Sequence, residues 1–128
     1  KRRAYFTFTD FNEHIDLSFL DEQKILTKLY IKGHLRSNGK TIQPGHSIDI
    51  YLNQELPDDY NDRIWSLISA IGGIDVVRKL TLNYRARSSA IVLGIPAKTE
   101  DAIEDGYISC ETMKMLCDIG AEVHFYYI

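Results

Sequence analysis

The sequence predicts an α+β domain: an antiparallel β-sheet of about five to six strands with two main helices packed on one face. Three observations predict it. Several separate runs alternate apolar and polar residues, the period of a half-buried strand. Two segments, 57–71 and 109–119, place apolar residues three and four apart behind capping residues, which is the helical period. The order is strand, hairpin, helix, two strands, helix, strand, which favours antiparallel pairing.

The chain has 128 residues and fits one domain, 1–128. It is 45% hydrophobic and 26% charged, enough apolar residue to fill a single core.

Ala4, Phe6 and Phe8 alternate with Tyr5, Thr7 and Thr9 in a first strand. Residues 12–17 read as loop, and Ser18 to Lys24 as a short helical turn. Ile25 to Arg36 alternates again, and Ser37-Asn38-Gly39-Lys40 supplies a hairpin turn, because Asn and Gly tolerate positive φ. The return strand passes Pro44-Gly45 and runs from Ser47 to Asn53, with Ile48, Ile50 and Leu52 against Ser47, Asp49 and Tyr51.

Pro57 opens the first helix, and Asp58, Asp59 and Asp62 favour its positive N-terminal end. Ile64, Leu67, Ile68 and Ile71 form its apolar stripe, with Trp65 at the edge as core packing, and Gly72-Gly73 ends it. Ile74 to Lys79 is either a helical turn or a strand entry. Leu80, Leu82 and Tyr84 alternate with Thr81, Asn83 and Arg85, which predicts a strand to Arg87. Ser88-Ser89 turns the chain, and the apolar run Ala90 to Ile95 reads as a central strand stopped by Pro96. Residues 97–107 read as an exposed acidic loop. Ser109 caps the second helix, whose apolar face is assigned to Met113, Leu116, Cys117 and Cys110. Gly120 stops it, and Ala121 to Ile128 closes the sheet.

Little in the chain carries chemistry. The four histidines, His14, His34, His46 and His124, show no metal-ligand spacing, so neither a metal nor another cofactor is expected. A Gly-x-Ser-x-Gly elbow and a phosphate-cradling Gly loop are both absent from the sequence, so no catalytic residue is assigned. Cys110 and Cys117 are seven apart on one helix. Their Cα atoms would lie about 10 Å apart, too far for a disulfide. Free thiols suit a reducing compartment, and the expected location is the cytoplasm. No apolar run reaches the roughly 20 residues that span a bilayer, and no apolar segment follows Lys1-Arg2-Arg3, so no membrane role is expected. A net charge of −3 argues against nucleic acid as a partner.

Two acidic clusters stand out. The first is Glu55, Asp58, Asp59 and Asp62; the second is Glu100, Asp101, Glu104 and Asp105. Solvated faces are the ordinary meaning of such clusters, but they also steer basic partners. Tyr51, Tyr60, Trp65 and Tyr107 lie near them in sequence, and aromatic anchors ringed by charge are typical of tight interfaces.

The segment Ile108 to Ile128 combines a Ser-capped helix, the turn Leu116-Cys-Asp-Ile-Gly-Ala-Glu122 and an aromatic-rich strand. It resembles the closing segment of a family of small bacterial proteins of unassigned function. The likeness extends back to the helix of Trp65. The N-terminal half departs from that pattern, lacking the helix and Leu-Gly-x-x-Pro segment expected after the first strand. Members of this kind occur among immunity proteins of bacterial toxin systems, including contact-dependent growth inhibition. The resemblance implies a binding protein and supplies no catalytic residues.

The leading expectation is therefore an immunity protein, monomer or homodimer. It would neutralise a cognate toxin domain, a cationic nuclease, through the two acidic clusters. The alternatives are a small-molecule-binding or regulatory domain without catalysis, and a small enzyme using His46 or His124 with a nearby carboxylate.

Overall fold

A computed structural model describes residues 4–11, 18, 20, 24–83, 88–95 and 106–127. The elements are β1 (Ala4–Phe11), β2 (Ile25–Tyr30), β3 (His46–Leu52), α1 (Tyr60–Ile71), α2 (Ile74–Asn83), β4 (Ser88–Ile95), α3 (Cys110–Ile119) and β5 (Ala121–Tyr127). The fold is α+β, as expected, with five strands ordered β2-β3-β1-β4-β5.

The sheet is mixed and not purely antiparallel. β1 pairs antiparallel with β3 and β4, and β2 with β3, but β5 runs parallel to β4. A parallel neighbour needs a crossover of a dozen or so residues, and the stretch from 96 to α3 provides one. β4 is accordingly buried along almost its whole length, as its continuous apolar run predicts.

All three helices pack on one face. Phe6, Phe8, Ile48, Ile50, Ile91 and Leu93 of the sheet share one core with Ile64, Leu67 and Ile68 of α1, Val77 and Leu80 of α2, and Met115, Leu116 and Ile119 of α3. Trp65 is half-buried against this core, as expected, and its indole N–H donates to Thr112 Oγ1 at 3.1 Å.

Helix α1 starts at Tyr60, three residues after Pro57. Asp59 is its N-cap, its carboxylate accepting the Asp62 N–H at 3.0 Å. Gly72 ends the helix, its N–H bonding to the Ile68 and Ser69 carbonyls.

Of the expected strand over 80–87, residues 80–83 are instead the end of α2, which makes three helices and not two, and residues 84–87 lie outside the described residues. Ile74, Val77 and Leu80 recur every three residues on the core side, while Leu82 is 68% exposed. The apparent alternation Leu80–Leu82 is a coincidence of helical spacing. Ser88-Ser89, expected as a turn, is already strand.

The predicted long hairpin is broken. β2 ends at Tyr30, because Gly33 turns the chain with φ +88°. Residues 32–44 form a separate tongue. It is closed by the Leu35–Ile42 bridge, with Asn38 Oδ1 accepting the Lys40 and Thr41 N–H groups at 2.9 and 3.1 Å.

The closing unit keeps its expected caps: Ser109 Oγ accepts the Thr112 N–H, and Gly120 sits at φ +71°. Its buried face is rotated from the expected one. Thr112, Met115, Leu116 and Ile119 are buried, whereas Met113, Cys110 and Cys117 are exposed. Thr112 begins the stripe, its hydroxyl satisfied by Trp65 and Ser109. Both cysteines are free thiols.

Two substitutions separate the helical from the strand reading of 80–83. Leu80→Ala, at a buried position of α2, is expected to cost about 2–5 kcal/mol by leaving a core cavity. Leu82→Ser should stay within about 0.5 kcal/mol in urea unfolding.

Candidate functional site

The first acidic cluster surrounds the entry to α1. Glu55, Asp58, Asp59 and Asp62 are all exposed. Their backbone is held by Arg63, which is only 3% exposed. Its guanidinium folds back to donate to the Pro57 and Asp58 carbonyls at 2.9 and 3.0 Å, and reaches the Gly94 carbonyl of β4 at 3.5 Å. The Tyr60 ring stacks 5.2 Å from the guanidinium carbon. A buried arginine thus ties the acidic turn to the end of β4 through backbone oxygens. Sequence reasoning missed it; a lone Arg beside the α1 apolar stripe was the available signal.

Glu100, Asp101, Glu104 and Asp105 lie outside the described residues, as does His14. The segment that follows them is described and docks on the first turn of α1. Asn61 Nδ2 donates to the Tyr107 carbonyl at 3.1 Å, and Asn61 Oδ1 accepts the Ser109 N–H at 2.8 Å. Gly106 lies flat on the Tyr60 ring, where a Cβ would come within 1.9 Å of a ring carbon. Tyr107 itself is 68% exposed beside this joint.

The histidines are dispersed. His46 Nδ1 accepts the Lys32 N–H at 3.2 Å, and His34 is exposed on the tongue. His124 Nε2 lies 2.8 Å from Glu122 Oε2 on the edge strand β5. That is hydrogen-bond distance for an acid–base pair, but both side chains are more than half exposed. Among the described residues no group of three or more His, Cys, Asp or Glu is placed to hold a metal ion.

The opposite face of the sheet carries a site that the sequence did not disclose. Strand register brings Tyr30, Ser47, Thr9 and Ser88 into one row across four strands. The next row holds Lys28, Asp49, Thr7 and Ala90. Above the first row the tongue raises a wall that includes Arg36, Gln43 and Pro44, enclosing a half-open cavity of about 650 Å³. The Thr9 and Ser88 hydroxyls bond to each other in its floor. Volumes of this order accept small molecules.

Asp49 is the charged group of the floor and is only 8% exposed. The Tyr51 hydroxyl donates to its Oδ2 at 3.2 Å. Tyr5 stacks on Tyr51 at 5.0 Å and lies near Tyr126 at 6.3 Å. Burial, and then the Asp49 carboxylate, push the Tyr5 phenol up from 10 to about 12. Burial also raises Tyr126, against the opposing charge of Arg63. Asp49 reads in sequence as an ordinary outward residue of an alternating strand. Its burial follows from the central position of β3 and from the tongue.

No family model, curated protein or solved structure matches the chain.

The Tyr5 shift sets an alkaline stability window. The unfolded phenol ionises near 10 and the folded one near 12, so the contribution is complete below pH 10 and is lost as pH rises toward 12. Phenolate absorbance should show a late-titrating component that diminishes in Tyr5→Phe. Its midpoint should fall in Asp49→Asn, which removes the neighbouring negative charge.

Proposed function

We propose that the protein is a non-catalytic binding domain of the immunity type, which captures a basic toxin domain, a cationic nuclease, on its acidic face. The observation that carries this reading is the joint at the start of α1. There the exposed carboxylates of Glu55, Asp58 and Asp62 and the exposed ring of Tyr107 are brought together by Asn61 and Arg63. A rigidly held acidic turn beside an exposed aromatic ring supplies both long-range attraction and a contact anchor. Asp59 belongs to the helix cap first, so its share of binding is the smallest of the four. Glu100, Asp101, Glu104 and Asp105 precede this joint directly in the chain. The resemblance of the segment 108–128 to immunity-related proteins favours the same reading.

We also propose a cytoplasmic location, supported by two exposed free thiols. No described helix is long and apolar enough to cross a membrane.

The test needs a basic nuclease domain as the probe, sought in the gene next to that of this chain. Replacing Glu55, Asp58 and Asp62 together by Lys should lower the association rate by about tenfold or more at low salt. It should weaken the salt dependence and abolish protection in co-expression, with a cooperative thermal unfolding transition retained. Equal rates and equal salt dependence would sink the charge-steered reading.

The cavity on the opposite sheet face favours a second reading, a small-molecule-binding domain without catalysis. Its support is a buried carboxylate, Asp49, at the floor of the half-open cavity.

A further inference from the structure

We propose that this cavity binds a small zwitterion of the α-amino acid class, with its ammonium on Asp49 and its carboxylate on Arg36. The assignment rests on the second reading and gives its ligand a chemistry.

Asp49 is more than nine-tenths buried and lines the cavity floor. Its hydrogen bond from Tyr51 is at 3.2 Å, and that uses only part of the capacity of a carboxylate. No cation pairs with it among the described residues. Lys28 stands directly opposite on β2, but its ammonium lies 5.2 Å over the Tyr30 ring. Buried carboxylates ordinarily have a counter-charge. An ammonium ligand would supply that charge and would leave two N–H donors for neighbouring oxygens. Ser47, Thr9 and Ser88 provide hydroxyl oxygens in the adjoining row of the same floor.

The far wall has the opposite sign. Arg36 lines the same cavity, and its Nε donates to Gln43 Oε1 at 3.3 Å. That bond orients the guanidinium and leaves its terminal nitrogens for a planar anion, which a carboxylate matches with paired hydrogen bonds. One anion on the floor and one cation on the wall select a molecule carrying both charges. A metal ion fits poorly, since Asp49 is the one carboxylate among the described residues of the lining.

The experiment is calorimetric titration and thermal shift of the full chain with the common L-amino acids. Each is compared with its N-acetyl derivative and its methyl ester. At least one free amino acid is expected to bind and raise the melting temperature. N-acetylation should abolish the effect. Asp49→Asn should weaken binding by about tenfold or more. Arg36→Gln should weaken the free amino acid but leave the ester unchanged. Ser47→Met, which fills the floor, should also abolish binding and serves as a second variant if Asp49→Asn unfolds. Binding that survives N-acetylation or Asp49→Asn overturns the proposal. Response only to neutral sugars or N-acetyl acids overturns it while leaving the cavity a ligand site. Silence toward every compound, with Ser47→Met equally silent, overturns both.

Discussion

Every helix of this protein covers the same side of the sheet, and that asymmetry dictates the chemistry of the other side. The covered face is solved by apolar packing of Phe6, Phe8, Ile50, Ile91 and Leu93 against three helices. Among the described residues the other face has no helical layer to exclude water. It is built of side chains that tolerate both media: tyrosines at 5, 30, 51 and 126, hydroxyls at 7, 9, 47 and 88, and the small Ala90. Tyrosine suits such a layer because its ring buries apolar area while its hydroxyl keeps a polar partner. Asp49 is held inside this layer and lines the half-open cavity.

The two sites are separated by the same architecture. The acidic joint is tied to Gly94 near the C-terminal end of β4, on the helical side. The cavity begins at Ser88, at the other end of that strand, on the bare side. Six residues of strand put about 20 Å between those levels.

Local signals were legible in the sequence, and tertiary ones were not. Ser109, Gly120 and the alternating strand after them act within a few residues, so the closing unit is readable without its surroundings. The rotation of α3 was not readable. Thr112 looks polar but is buried because Trp65 and Ser109 satisfy its hydroxyl, while the cysteines look apolar but face solvent. Leu80 and Leu82 fit period two by chance, and only the recurrence of Ile74, Val77 and Leu80 marks the helix. The parallel partner of β4 depends on where the crossover lands, a matter of packing. The same division holds for the sites. The carboxylates at 55, 58, 59 and 62 announce themselves as a cluster, but Arg63 and Asn61, which hold them, do not. The cavity is spread over β1, β2, β3, β4 and the tongue. It exists only once strand register aligns residues as distant as Thr9 and Ser88.

The central place of β1 has a kinetic meaning. Its two neighbours are β3 and β4, and β4 follows it by some eighty residues in the chain. A growing chain can close the β1–β3 pairing early, but the other edge of β1 waits until both α1 and α2 have been made. During that interval an apolar strand with Phe6 and Phe8 has one unpaired side, open to mispairing with another chain. Pairings so distant in sequence also slow refolding, because a large loop must close before its contacts can compensate.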